Sequence, residues 1–246
     1  MPIIVIFLFL IFISPAFAHA GPPLLTHDPG TPGDGHWENN VAITVEKART
    51  HQRFEAPLLD LNYGWGERIQ LKFEVPWVFL KEEGENTKNG LGDSLLGVKY
   101  RFIDQDRYGF DMSVYPQLEL NNVESSVNRG LVDRGPKLSL PAQVAKRFGP
   151  LVLNLEVGYA FVREGPDQWI TGLAFGYQAL KKLELVGEVY GTSKRSLLHQ
   201  EWVFNLGFRW RLAEKLILNI AAGRTIRPSP DDEPTFLLYT GLQFLL

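Results

Sequence analysis

The chain has 246 residues, 45% hydrophobic side chains, a formal net charge of −3 and no cysteine. Without a basic excess there is no electrostatic reason to expect nucleic acid as a partner, and a chain lacking cysteine can cross an oxidising compartment without disulfides. The mean hydropathy of −0.09 fits a soluble domain and a barrel with a polar lumen equally well, so composition leaves the class to be read from the pattern.

Residues 1–20 carry no charged side chain, contain an apolar run from Ile3 to Ile13 and end in small residues. They read as a secretory signal peptide, cleaved after Ala18 or Ala20, too short to span a bilayer as a helix. Nothing later offers the roughly twenty consecutive apolar residues that a membrane helix requires. Residues 21–35, GPPLLTHDPGTPGDG, are rich in Gly and Pro without any period and form an irregular N-terminal arm. From residue 36 to Leu246 one unit recurs, a run of roughly ten residues of alternating apolar and polar side chains closed by a turn. These strands begin near Trp37, Phe54, Arg68, Gly92, Gly109, Lys137, Leu151, Trp169, Leu183, Glu201, Leu216 and Thr235. The clearest sets Trp202, Phe204, Leu206, Phe208 and Trp210 on one face against Val203, Asn205, Gly207, Arg209 and Arg211 on the other. Alternate side chains of a strand face opposite sides, so such a strand is apolar on one side and polar on the other. An all-β, antiparallel transmembrane β-barrel of about twelve strands follows.

Two further patterns support it. Connections after even-numbered strands are short, as at 64–67, 148–150 and 180–182, whereas those after odd-numbered strands are mostly longer and polar, as at 81–89 and 122–136. Outer-membrane barrels have short periplasmic turns and long external loops. Aromatic residues on the apolar face collect at both strand ends, Trp37, Tyr100, Tyr177 and Trp210 at the periplasmic end and Trp77, Phe161, Trp169 and Phe236 at the outer end. Aliphatic residues such as Leu153, Leu155 and Val157 lie between them, giving two girdles around an apolar band. A soluble β-sandwich also alternates, but in it these two regularities would be accidents. Pro57, Pro76, Pro116 and Pro141 fall inside strands, where a missing N–H breaks a ladder, so that side of the wall is expected to be irregular.

The polar faces supply the candidate lumen-lining residues: Asp60, Lys72 and Glu74 on the second and third strands, Asp93, Lys99 and Arg101 on the fourth, and Asp111, Tyr115, Gln117 and Glu119 on the fifth. The later strands add Arg147, Asn154, Glu156, Glu184, Glu188, Asn205, Arg209 and Arg211. Charges crowded in a lumen neutralise one another. Arg209 and Arg211 are expected beside Glu184, and Lys99 and Arg101 beside Asp111. Small inward residues, Gly158, Gly172, Ala174, Gly176 and Gly207, leave space on one side. No nucleophile–histidine pair, G-x-S-x-G, HExxH, phosphate loop or zinc-type cluster appears. GLGDS at 90–94 opens a strand without a Lys and reads as a turn, while His27-Asp28 reads as solvated in the arm. No catalytic residue, cofactor or metal is therefore expected.

The segments GPPLLTHDPGTPGDGHWE, EAPLLDLNYGWGERIQLKFEVPW, GLGDSLLGVKYRF, YPQLELN and RFGPLVLNLEVGY resemble the bacterial outer-membrane β-barrel family labelled as transporters or as phenol-degradation MetA-pathway proteins, over nearly the whole mature chain. The resemblance implies a Gram-negative outer-membrane barrel passing small, aromatic or hydrophobic compounds, and transfers no catalytic residue. The expected partners are thus the outer-membrane bilayer, a small-molecule solute and the assembly machinery, which reads a final strand ending here in Phe244-Leu245-Leu246. The leading functions are a channel with a polar lumen and a structural or adhesive barrel whose lumen is plugged, with the arm 21–35 as a candidate plug; a membrane enzyme is a third, disfavoured by the placement of the histidines.

Overall fold

In the computed structural model, which describes residues 21–195, 200–227 and 235–246, the alternating segments form one closed antiparallel wall. The leader 1–20 and His199 lie outside the described residues, as do 228–234 of the loop before the last strand. The strands are β1 (Trp37–Lys47), β2 (His51–Trp65), β3 (Ile69–Glu82), β4 (Lys88–Leu91), β5 (Ser94–Ile103), β6 (Asp111–Val114), β7 (Gln117–Leu120) and β8 (Lys137–Ser139). They continue as β9 (Ala142–Phe148), β10 (Leu151–Val162), β11 (Gln168–Leu180), β12 (Leu183–Lys194), β13 (Gln200–Ala213), β14 (Leu216–Arg227) and β15 (Phe236–Leu245). Each of the pairs β4/β5, β6/β7 and β8/β9 is a single stave with an interruption, so the fifteen segments make a twelve-stranded barrel. It closes where β1 meets β15, from Glu38 opposite Leu245 to Lys47 opposite Phe236.

The interruptions fall at Gly92-Asp93, Tyr115-Pro116 and Leu140-Pro141, and the register of β2 on β3 slips between Glu55 and Leu58, around Pro57. Proline has no N–H to donate, but its carbonyl still accepts. Gly92 N–H donates to Pro76 O at 2.9 Å, Val98 N–H to Pro116 O at 3.0 Å and Tyr115 N–H to Pro141 O at 2.9 Å. An irregular belt thus crosses the β2–β9 side without opening the wall.

Beyond this belt β4 pairs with β3 alone. Its second edge would expose unpaired backbone groups. The loop 121–136, carrying the short helix α2 (Glu124–Asn128), covers that edge with side chains: Ser126 Oγ donates to Leu91 O at 2.7 Å and Arg129 Nη1 to Asn89 O at 2.7 Å. Asn122 Nδ2 donates to Gly92 O at 2.5 Å. The same loop turns inward, where Leu131 is fully buried against Val78 and Leu80. On the opposite rim the turn after β5 winds into the one-turn helix α1 (Gln105–Tyr108), capped by the Asp104 side chain and closed by Gly109 with φ 80°.

The two faces are chemically distinct. Along β10, Leu153, Leu155 and Val157 are 41–45% exposed, while Val152, Asn154 and Glu156 are at most 3% exposed. Trp37, Tyr100, Phe148, Tyr177 and Trp210 are exposed at the end bearing the short turns, and Trp77, Phe161, Trp169 and Phe236 at the other. An exterior this apolar on a closed barrel has hydrocarbon as its solvent, so the chain is embedded in the outer-membrane bilayer. Leu155→Arg is expected to lower the stability of the refolded barrel by about 2–4 kcal/mol, and Asn154→Arg by less. Urea titration in liposomes checks the pair, and equal losses would contradict this facing.

Candidate functional site

The lumen is occupied by the chain's own N-terminal arm. It enters at the rim of short turns, where Gly66 N–H donates to Asp34 Oδ1 at 2.8 Å and Gly35 N–H to Gly64 O at 3.0 Å. Glycine is required at this crossing: a Cβ on Gly64 would lie 1.8 Å from Gly33 O. From there the arm rises along the inner wall past β5, reaches β10–β12 at residues 24–27, and folds back so that Gly21 N–H donates to Thr26 O at 2.6 Å.

Its anchors are wall side chains that bind its backbone. Glu188 accepts from Leu25 N–H at 2.8 Å, Thr26 N–H at 2.7 Å and Thr26 Oγ1 at 2.6 Å. Glu156 accepts from His27 N–H at 3.2 Å and lies 3.1 Å from His27 Nδ1. Donors complement these acids. Asn154 Nδ2 donates to His27 O at 2.7 Å and Lys99 Nζ to Gly30 O at 3.0 Å. Arg209 donates to Pro22 O at 2.9 Å and Gly21 O at 3.0 Å. Leu24 is buried in a socket formed by Ala174, Val186 and Ala221. The space left by small inward residues is thus partly filled by the arm: a Cβ on Gly172 would lie 2.4 Å from Thr26 Oγ1.

Behind the arm the wall neutralises its own charges. Arg209 Nη1 lies 3.0 Å from Glu184 Oε2, both side chains almost wholly buried. Lys72 Nζ lies between Asp60 at 3.1 Å and Glu74 at 2.7 Å. From Asp60 hydrogen bonds run through Asn62 and Gln70 to Tyr115 Oη. The Tyr115 ring receives His27 edge-on at 5.1 Å between centroids and Lys99 Nζ at 4.8 Å, which couples this network to the arm. Nearer the outer mouth, Asn205 donates to Glu188, Lys137 pairs with Glu119, and Asn121 donates to Asp93.

Two expectations are corrected. Asp111 does not form the pair expected with Lys99 and Arg101: it accepts Gln105 N–H at 2.9 Å, and Arg101 stands opposite Ser113 in register. Lys99 is drawn to the arm, 3.8 Å from Asp28 Oδ1, and Arg101 reaches Glu67 O at 2.9 Å. His27 and Asp28, expected to be solvated, are docked in the lumen, Asp28 being only 7% exposed. Arg147 stands exposed at the short-turn rim, its N–H bonded to Gln105 Oε1, and Arg211 donates to Glu214 O beside it. Gln117 points inward from β7 into the lumen. Alternation alone does not reveal that Thr26, His27 and Asp28 meet the wall, because the arm has no period; its His-Asp pair was the available signal.

Among the described residues, cavities border the arm on several sides. One of about 190 Å³ toward the short-turn rim is lined by Lys99, Arg101, Asp111 and Arg147, and one of about 470 Å³ toward the outer mouth by Glu46, Glu74, Glu119, Tyr190 and Tyr239. The third, of about 180 Å³, lies against Pro141, Glu156 and Ile170. His27 lines all three.

A closed twelve-stranded wall with an apolar exterior and a polar interior defines an outer-membrane β-barrel. Within that class, the chain belongs to the family described as "Putative MetA-pathway of phenol degradation", whose model matches residues 26–234. Among solved structures it resembles the COG4313 outer membrane channel from Pseudomonas putida F1, with a TM-score of 0.66 and 14% identity over 95% of this chain and 100% of that one. The NanC porin matches with a TM-score of 0.64 and 10% identity, over 84% of this chain and 98% of that one. The KdgM porin matches at 0.60 with 12% identity, over 83% of this chain and 98% of that one. At these identities the likeness is one of fold. A search of curated protein sequences finds no match.

Arg209→Leu leaves Glu184 as a buried charge without this partner and is expected to cost about 3–5 kcal/mol of barrel stability, much of it recovered in the Glu184→Leu/Arg209→Leu double variant. Heat-modifiability and urea midpoints measure both. Gly172→Leu is expected to push Thr26 off Glu188, so that limited proteolysis with proteinase K cuts within residues 21–31 while the barrel resists.

Proposed function

We propose that the protein is an outer-membrane channel through which small solutes diffuse, with a polar lumen that its own arm narrows. The observation that carries this reading is that separate cavities lie on either side of the arm inside the barrel and share His27 as a lining residue, so the arm narrows the lumen without filling it. Charged side chains that line such a path bias which solutes pass. Here Lys99, Arg101 and Arg147 border the periplasmic chamber, while Glu74 and Glu119 border the outer one. The family description speaks of phenol degradation, which makes simple phenols candidate solutes, and the likeness to proteins described as a channel and as porins supports passage rather than chemistry. The final strand, with Phe244 facing outward, is the segment that we assign to recognition by the assembly machinery.

A second reading, a structural barrel with a sealed lumen, is favoured by how firmly Glu188 and Glu156 hold the arm. Swelling of liposomes containing the refolded protein separates the two, with small sugars, amino acids and simple phenols as solutes. Size-limited flux is expected; a folded barrel without flux supports the sealed reading. Deleting residues 21–34 is expected to raise single-channel conductance, and unchanged conductance would contradict the arm's role.

A further inference from the structure

We propose that the inner wall from β10 to β14 is a peptide-binding strip, of which the arm is the tethered and imperfect occupant, and that an extended peptide supplied in trans binds there by its backbone. This rests on the reading that the arm narrows the lumen. Three observations carry it.

Most of the wall's hydrogen bonds are made to main chain. Carboxylates meet the N–H groups of Leu25, Thr26 and His27, and Arg209 and Asn154 meet the carbonyls of Gly21, Pro22 and His27, while Lys99 on β5, outside the strip, holds Gly30. Wall acceptors for amides and wall donors for carbonyls bind main chain whatever its side chains, and so can read many sequences. Side chains of the arm are read at the Leu24 socket, at the Thr26 hydroxyl on Glu188, at the ring of His27 beside Glu156 and Tyr115, and at Asp28 beside Lys99.

The fit also leaves a wall group unfilled. Asn219 is fully buried, yet neither its Oδ1 nor its Nδ2 finds a hydrogen-bond partner. It stands opposite Arg209 in register and two residues before Ala221 on β14. Arg209 holds Gly21 and Pro22, and Ala221 holds Leu24, so Asn219 faces the stretch at Pro22-Pro23. Two prolines offer no N–H there. A buried amide without a partner lowers the affinity of whatever buries it. A peptide carrying an amide N–H at the position of Pro23 supplies the missing donor to Asn219 Oδ1, which makes a non-proline peptide the better ligand.

Finally, the arm lies outside the strands of the wall, so its departure clears the strip without breaking a strand. Its tether gives it an effective concentration on the order of a millimolar, and a competing peptide needs to approach that value only while the arm remains intact.

The test uses the full chain with the arm weakened and the wall untouched. Thr26→Pro/His27→Ala removes the Thr26 N–H and hydroxyl and the His27 ring, and is expected to raise single-channel conductance. A synthetic peptide of residues 21–31 is then added to either side of the bilayer. At concentrations on the order of a millimolar it is expected to reduce the open current by about tenfold, whereas the same peptide carrying Thr26→Pro has little effect. The peptide carrying Pro23→Ala is expected to block at about fivefold lower concentration. A variant with wild-type conductance overturns the occlusion reading and this proposal with it. An open variant indifferent to the peptide overturns the strip alone, and block by the Pro23→Ala peptide no better than by the native one overturns the assignment of Asn219.

Discussion

Every backbone amide and carbonyl of this wall that faces hydrocarbon needs a partner within the protein, because lipid offers none. Closure of β1 on β15 follows from that requirement, and so does the treatment of each irregularity. Where Pro76, Pro116 and Pro141 cannot donate, their carbonyls take N–H groups from the neighbouring stave. Where β4 loses its second neighbour, side chains of the loop 121–136 bond to its carbonyls. The barrel is irregular in outline, and at these points replacement bonds cross the belt.

Burying charge inside the same wall creates the opposite difficulty. Carboxylates such as Glu188 and Glu156 stand in a confined lumen, and each must be bonded or it weakens the fold. The wall answers in part with its own cations, as at Glu184–Arg209 and Asp60–Lys72–Glu74. For Glu188 and Glu156 it adds the neutral amides of Asn205 and Gln143, and main-chain amides of the arm supply further donors. The arm therefore belongs to the electrostatics of the barrel as well as to its permeability: withdrawing it returns two carboxylates to water.

Much of the barrel was legible in the sequence because membrane strands obey a strict two-residue period. The twelve staves, the two aromatic girdles and the irregular side with its four prolines could all be read from that period and from turn residues. The arm could be read as a candidate plug, but the residues that dock it could not. A Gly- and Pro-rich segment has no face, and its partners come from β5, β10, β12 and β13, distant in sequence and brought together only by closure. The same cause explains the misplaced partner of Lys99. Neighbouring strands pointed to Asp111, but the nearer carboxylate belongs to Asp28, more than seventy positions earlier in the chain and outside the strand pattern.

The loop 121–136 performs two duties with one stretch of backbone. Its side chains Ser126 and Arg129 seal the free edge of β4, and Leu131, a few residues on, sits inside the outer mouth against Val78 and Leu80. A molecule that grips this loop from outside the cell cannot pull on one without the other. Lifting Leu131 from the mouth also strips the cover from a strand edge, so engagement at the cell surface would loosen the entrance and the wall beside it in a single movement.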